Sequence, residues 1–180
     1  MECLIVIDYT NDFIDDNGAL TCGENGKAIE EKIMELVKTF NKRQDYVIFA
    51  IDKHERNDVY HPETKLYPPH NIEDTQGRVL YGKLEQYAKA HPECYQMAKR
   101  RYSAFSGTEL DHRLRERHIE VIHLCGVCTD ICVLHTAIDA YELGYKIVIH
   151  EKAVASFNED GHRFALDHFE KVLGATIERG

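Results

Sequence analysis

The segment Leu124-Cys125-Gly126-Val127-Cys128-Thr129-Asp130-Ile131-Cys132 places three thiols directly after an apolar run. If it opens a helix, Cys132 falls in the first turn, where free N–H groups and the macrodipole stabilise a thiolate. A thiolate there is a nucleophile suited to acyl transfer. The plainer reading is a buried cysteine acting as a small apolar side chain. Two other chemistries compete for the segment. Cys125 and Cys128 have the C-x-x-C spacing of a redox dithiol, yet Cys125 falls inside the strand, where such a motif needs a thiol at the helix start. A zinc site from Cys125, Cys128 and Cys132 lacks a second ligand pair at zinc-finger spacing.

Asp52-Lys53-His54 sets a carboxylate and an imidazole two apart at a strand end. In extended chain such side chains point the same way. They could share one divalent metal, completed by His61, Glu63 or His70 from the loop that follows. With 11 histidines in the chain, a surface aspartate beside unrelated histidines is the competing reading. Asp8 and Lys99 are isolated ionisable residues at strand ends, where a surface salt bridge or a helix cap would also account for them. Asp8 directly follows a fully apolar strand; buried beside a lysine, it would stay ionised and serve as a base. Phe13, Tyr67 and Tyr102 suit either a core or a pocket wall. The basic run Lys99-Arg100-Arg101 reads as a solvated face rather than a phosphate site.

The elements that must position these residues follow from periodicity. Short apolar runs, Cys3 to Ile7, Tyr46 to Ile51, Tyr95 to Ala98, Ile119 to Leu124, Lys146 to Ile149 and Ala175 to Ile177, read as strands. Between them lie amphipathic helices over Ala28 to Arg43, Lys83 to Ala90, Thr129 to Leu143 (capped by Thr129, stopped by Gly144) and Glu159 to Leu173. Thr108-Glu109-Leu110-Asp111 resembles a capping box opening a helix through Arg117. Lys53 to Leu80 carries three of the four prolines and little periodicity; its aromatics and histidines mark it as an ordered, functional loop. The pattern predicts a single-domain α/β fold over residues 1–180, a three-layer α/β/α architecture around a mainly parallel sheet of about six strands, Rossmann-like. Sites in such sheets lie at the carboxyl ends of strands near the switch in strand order. That rule selects Asp8, Asp52, Lys99 and the segment after Leu124.

The net charge of −9 argues against a nucleic-acid or anionic-membrane partner. With 43% hydrophobic and 29% charged residues, the composition is that of an ordinary globular chain. No run approaches the length of a membrane span, and the N-terminus lacks the basic start and apolar stretch of a signal peptide. The six cysteines are therefore expected as reduced thiols in a cytoplasmic protein.

Four motifs in order, Asp8-Tyr9-Thr10-Asn11-Asp12-Phe13, His61-Pro62-Glu63 through Tyr67-Pro68-Pro69-His70, Lys99-Arg100-Arg101-Tyr102-Ser103-Ala104-Phe105 and Gly126 to Val133, resemble those of the isochorismatase-like cysteine hydrolases, and within them the nicotinamidases. The resemblance runs from Asp8 to about Ala155. It implies a triad of Asp8, Lys99 and Cys132: Cys132 attacks a carboxamide carbon, Asp8 carries the proton, and Lys99 orients it. It implies an oxyanion hole from the N–H groups of Cys128 and Cys132, with a cis bond between Val127 and Cys128. It also implies one divalent metal ion, zinc foremost with iron or manganese as alternatives, on Asp52, His54, Glu63 and His70. His61 remains the rival of Glu63. Phe13, Tyr67 and Tyr102 match positions that enclose the substrate ring. The expected activity is hydrolysis of nicotinamide to nicotinate and ammonia in NAD salvage, extending to pyrazinamide, with a small molecule as partner and self-association left open.

Overall fold

Cys3–Ile7 is apolar at every position and forms β1, buried on both faces. The computed structural model describes residues 1–180. After β1 come α1 (Asn11–Ile14), α2 (Gly23–Ala28), α3 (Glu30–Lys42), β2 (Tyr46–Asp52), α4 (Gly82–Ala90), β3 (Tyr95–Lys99), α5 (Leu110–Glu116), β4 (Val121–Val127), α6 (Leu134–Glu142), β5 (Lys146–Ala155), α7 (Glu159–Lys171) and β6 (Thr176–Glu178). The six strands form one parallel sheet in the order β3-β2-β1-β4-β5-β6. Because strand side chains alternate, Cys3, Ile5 and Ile7 enter one core with α5, α6 and α7, while Leu4 and Val6 enter a second with α3 and α4. The predicted three-layer α/β/α fold is thus the observed one.

The chain leaves β1 toward β2 and β3 on one side, then returns beside β1 as β4 and continues outward. This reversal is the switch point, where the strand ends open a crevice. Close approach at the reversal is met by Gly126, whose φ is 110° and whose position leaves no room for a Cβ against the Ile7 carbonyl.

Several local expectations change. The stripe over Ala28 to Arg43 begins earlier and breaks at Ile29, giving α2 and α3. The N-cap position of α5 is Glu109, not Thr108, and its side chain makes no capping hydrogen bond. Thr108 Oγ1 accepts from the Leu110 N–H at 3.2 Å, while Asp111 turns away to accept from the Tyr145 hydroxyl at 2.6 Å. The fifth strand extends beyond Ile149 to Ala155, with a register shift opposite Leu124 and Gly126 that lengthens the pairing with β4.

Away from the strand ends, β4 and β5 bury a histidine pair: His123 Nδ1 lies 3.0 Å from His150 Nε2. Burial, then the neighbouring His123 and Lys32, push His150 down from 6.5 to about 4. Glu2, Arg43 and Asp45 face His123 on its other side. The unfolded chain protonates His150 near pH 6.5 and the folded chain resists until about 4, so stability rises with pH across that interval. The thermal midpoint of His150→Gln should therefore depend less steeply on pH between 4 and 6.5 than that of the unsubstituted protein. Identical slopes would show that His150 does not contribute.

Candidate active site

Each strand ending at the switch point delivers one side chain to the crevice. Asp8, just past β1, has φ 52°, in the left-handed region that a non-glycine residue enters at a cost of about 1–2 kcal/mol. Its Oδ1 accepts the Asp52 N–H at 2.7 Å. Its Oδ2 sits 2.8 Å from Lys99 Nζ but takes no well-aligned hydrogen bond, which leaves a buried acceptor free for a proton. Lys99, from β3, is only 1% exposed. The ammonium also lies 3.1 Å from Asp52 Oδ1, 3.0 Å from the Arg101 carbonyl and 3.6 Å from Cys132 Sγ. The basic run is thus split, with Lys99 inside and Arg100 outside on Glu55 and Asp58.

Charges in this cluster govern one another. Burial would drive the Lys99 ammonium down, but Asp52 and Asp8 outweigh it and hold the group well above its ordinary range. Burial raises Asp52 too, yet Lys99 with the neighbouring His54 and His70 imidazoles brings it well below. For Asp8 burial prevails over Lys99, and its carboxyl rises to about 6.

Cys132 departs from expectation. Thr129–Val133 forms a π-helical turn ahead of α6, so the nucleophile candidate does not stand in the first turn of a regular helix. Thr129 is no cap; its hydroxyl lies 2.8 Å from His162 Nδ1. Burial pushes the Cys132 thiol well above its usual range, Lys99 opposes this, and Asp8 and Asp52 add to it. The resting group is a thiol that needs a base, and Asp8 lies beside it. The Val127–Cys128 peptide is cis. The Cys128 N–H takes no part in the bonds closing the turn, which run from Ile131 and Val133 to the Cys128 carbonyl.

The three thiols diverge. Cys125 Sγ contacts the Ile5 carbonyl at 3.8 Å, and Cys128 Sγ meets Cys22 Sγ at 3.5 Å. They form neither the dithiol nor the zinc site that spacing allowed.

Asp52, His54, Glu63 and His70 are all buried, and one ligand atom from each lies within 4.8 Å of the others. His54 Nε2 is 2.9 Å from Asp52 Oδ2. His70 Nδ1 lies 2.9 Å from the Pro68 carbonyl, so Nδ1–H donates there and Nε2 faces inward. That Nε2 is buried without a hydrogen-bond partner, 3.6 Å from Asp52 Oδ2 and 3.4 Å from Glu63 Oε2. Two buried carboxylates around two imidazoles make a donor set that could hold a cation, and the orphaned nitrogen fits a divalent metal. His61 is committed elsewhere: its Nε2 is 2.7 Å from the Arg100 carbonyl, and its Nδ1 accepts the Glu63 N–H at 3.3 Å.

A narrow cleft borders Cys132, Cys128, Asp52, Glu63 and His70, with Phe13, Tyr67 and Tyr102 among its walls. Leu20, Ile131 and Phe157 also line it, and sequence reading did not single them out. Asn71 was missed as well. Its N–H donates to Asp12 Oδ2 at 2.7 Å and its Oδ1 accepts from the Thr10 hydroxyl at 2.9 Å, fixing the loop beside His70. Its adjacency to His70 was the one available signal.

The chain belongs to the isochorismatase domain family, whose pattern it matches over residues 2–179. It is 56% identical over 179 residues to a Bacillus subtilis isochorismatase family protein, PncA, described as uncharacterised, covering 98% of each chain. The structure of nicotinamidase/pyrazinamidase PncA from Bacillus subtilis superposes with a TM-score of 0.97 at 54% identity, covering 99% of this chain and 100% of that one. Pyrazinamidase of Pyrococcus horikoshii in complex with zinc gives a TM-score of 0.86 at 28% identity, covering 98% and 97%. No helix is long and apolar enough to cross a membrane.

Proposed function

We propose that residues 1–180 form one hydrolase domain acting as a cytoplasmic nicotinamidase, which converts nicotinamide to nicotinate and ammonia in NAD salvage and accepts pyrazinamide. The observation that carries the reading is the division of one carboxylate. Asp52 directs Oδ1 to Lys99, beside Asp8 and Cys132, and Oδ2 to His54 and His70. A thiol nucleophile and a metal-ligand set therefore border the same aromatic-walled cleft.

Cys132 Sγ attacks the carboxamide carbon as its proton passes to Asp8, and the carbonyl electron pair moves onto oxygen. The N–H groups of Cys128 and Cys132 receive that oxyanion. Collapse breaks the C–N bond, Asp8 returns its proton to the leaving nitrogen, and ammonia departs from a thioester. Asp8 then takes a proton from water as the oxygen adds to the thioester carbon. Asp8 passes that proton to sulfur as the C–S bond breaks, which restores the thiol and frees the acid, ionised as nicotinate. Lys99 holds Asp8 in place and balances the negative charge that forms on sulfur. Phe13, Tyr67 and Tyr102 enclose the ring, where planar stacking is favourable. Asp52, His54, Glu63 and His70 would hold one divalent cation, zinc foremost with iron or manganese as alternatives, supplying a Lewis acid that anchors the substrate's ring nitrogen.

Ammonia release from nicotinamide, pyrazinamide and benzamide, with and without chelator, tests the reading. Nicotinamide and pyrazinamide should turn over and lose activity with chelator. Benzamide, which lacks the ring nitrogen, should show kcat/KM lower by about 10²-fold, as for a site deprived of one directed contact. Equal turnover of benzamide would overturn the anchoring role, and no ammonia from any amide would overturn the reading itself.

A further inference from the structure

The turn carrying Cys132 and the chain after β5 are tied together by side chains that the reaction does not use. Ser156 Oγ donates to Asp130 Oδ1 at 2.6 Å and accepts the Asn158 N–H at 3.1 Å. Asn158 Oδ1 caps α7 by accepting the Gly161 N–H at 3.1 Å. At Gly161 the helix approaches the Asp130 carboxylate so closely that a Cβ would collide with it. The next residue, His162, meets the Thr129 hydroxyl. The residues on both sides of Phe157 are therefore anchored, directly or through α7, to the turn that bears the nucleophile.

Phe157 itself is not part of either core. It is 46% exposed, whereas its neighbour Ser156 is buried. A phenylalanine exposed at random on a surface needs no explanation. This one lines the cleft alongside Phe13, Tyr102, Cys128 and Cys132. A rigid frame thus holds a large apolar ring at the rim of a reaction cleft, with half its surface left for something else to cover. The cleft is narrow, with room for only about 10 Å³ between its walls. In so small a space a wall residue at the mouth decides which substituents enter.

We propose that Phe157 is a specificity-determining residue, closing over the exposed edge of a bound planar amide and excluding rings with bulky substituents on that edge. The identity of the amide rests on the nicotinamidase reading; the placement of the ring does not.

Two measurements on Phe157→Ala and Phe157→Tyr separate these. In the first, KM for nicotinamide should rise about 3- to 10-fold in Phe157→Ala, the range of one aromatic contact, with kcat within about twofold. The kcat/KM for ring-alkylated nicotinamides relative to nicotinamide should rise by a similar factor, and Phe157→Tyr should restore both values. The second needs no turnover: Cys132 is alkylated with iodoacetamide or with N-phenylmaleimide, and the adduct is located by peptide fragmentation. The ratio of the bulky to the small reagent's rate should increase about 3-fold or more in Phe157→Ala. If Phe157→Ala fails to fold, as judged by its thermal midpoint, Phe157→Val takes its place with the same expected order. An unchanged alkylation ratio overturns the proposal, as does an unchanged KM with unchanged selectivity. A shifted alkylation ratio in a protein that releases no ammonia from nicotinamide would uphold the gate and overturn the nicotinamidase reading alone.

Discussion

Cys132→Ala is expected to lower ammonia release from nicotinamide by about 10⁴-fold or more, as loss of a nucleophile does, with fold and metal content retained. Its sulfur is the one thiol within 3.6 Å of the Lys99 ammonium. The neighbouring thiols should rank differently. Cys125 is fully buried in β4 against the Ile5 carbonyl, so Cys125→Ser should act through stability rather than through kcat. Cys128→Ala removes a thiol that touches Cys22 but leaves the Cys128 N–H in place, and should keep substantial activity. Steady-state assays with thermal midpoints for all three variants check the ranking. An active Cys132→Ala beside inactive Cys125→Ser and Cys128→Ala would overturn the mechanism in favour of thiol chemistry at the other two positions.

The second large effect is expected in the metal-ligand group. His54→Ala and His70→Ala should each weaken metal binding by more than the about 10- to 100-fold that loss of an outer partner costs. Metal content after dialysis, measured by elemental analysis, is the readout. Asp52→Ala should do the same and also lower the thermal midpoint, because it leaves the Lys99 ammonium with one carboxylate instead of two; breaking a buried pair costs about 3–5 kcal/mol. Glu63→Ala and His61→Ala form the decisive comparison. Glu63 Oε2 faces His70 at 3.4 Å, whereas both His61 nitrogens are engaged by backbone groups. Glu63→Ala should therefore lose metal and His61→Ala should retain most of it. Metal loss in His61→Ala with none in Glu63→Ala would assign the fourth position to His61.

The arrangement of the elements was legible because parallel strands buried on both faces must be continuously apolar. Cys3–Ile7 and Tyr46–Asp52 therefore announce themselves, and the charges that end them mark the crevice. Asp8, Asp52, Lys99 and Cys132 could be picked out as strand-end or post-strand residues for that reason. The proposed ligand set came from spacing only in part. Asp52 and His54 are two apart in extended chain, but Glu63 and His70 sit in a segment without periodicity, and a loop's course is set by contacts distant in sequence.

What the sequence determined by itself was therefore local: the apolar runs, the amphipathic stripes, the charges at their ends and the motifs that mark the family. Tertiary structure decided what those residues are electrically and which of them meet. The position of Cys132 after a strand suggested a stabilised thiolate, yet burial outweighs any benefit from the helix behind it and leaves a thiol next to Asp8. Spacing placed Lys99 in a solvated basic run, yet pairing between β2 and β3 sets it opposite Asp52 in the interior. The proposed preference for Glu63 over His61 rests on the Arg100 carbonyl, which no spacing rule could connect to either. Phe157 escaped notice because nothing in its neighbourhood is periodic or reactive; only the anchoring of the post-β5 chain to Thr129 and Asp130 brings it to the cleft. Periodicity reports which face of an element is buried, whereas solvation, charge pairing and cleft walls are sums over neighbours that the chain brings together only when it closes on itself.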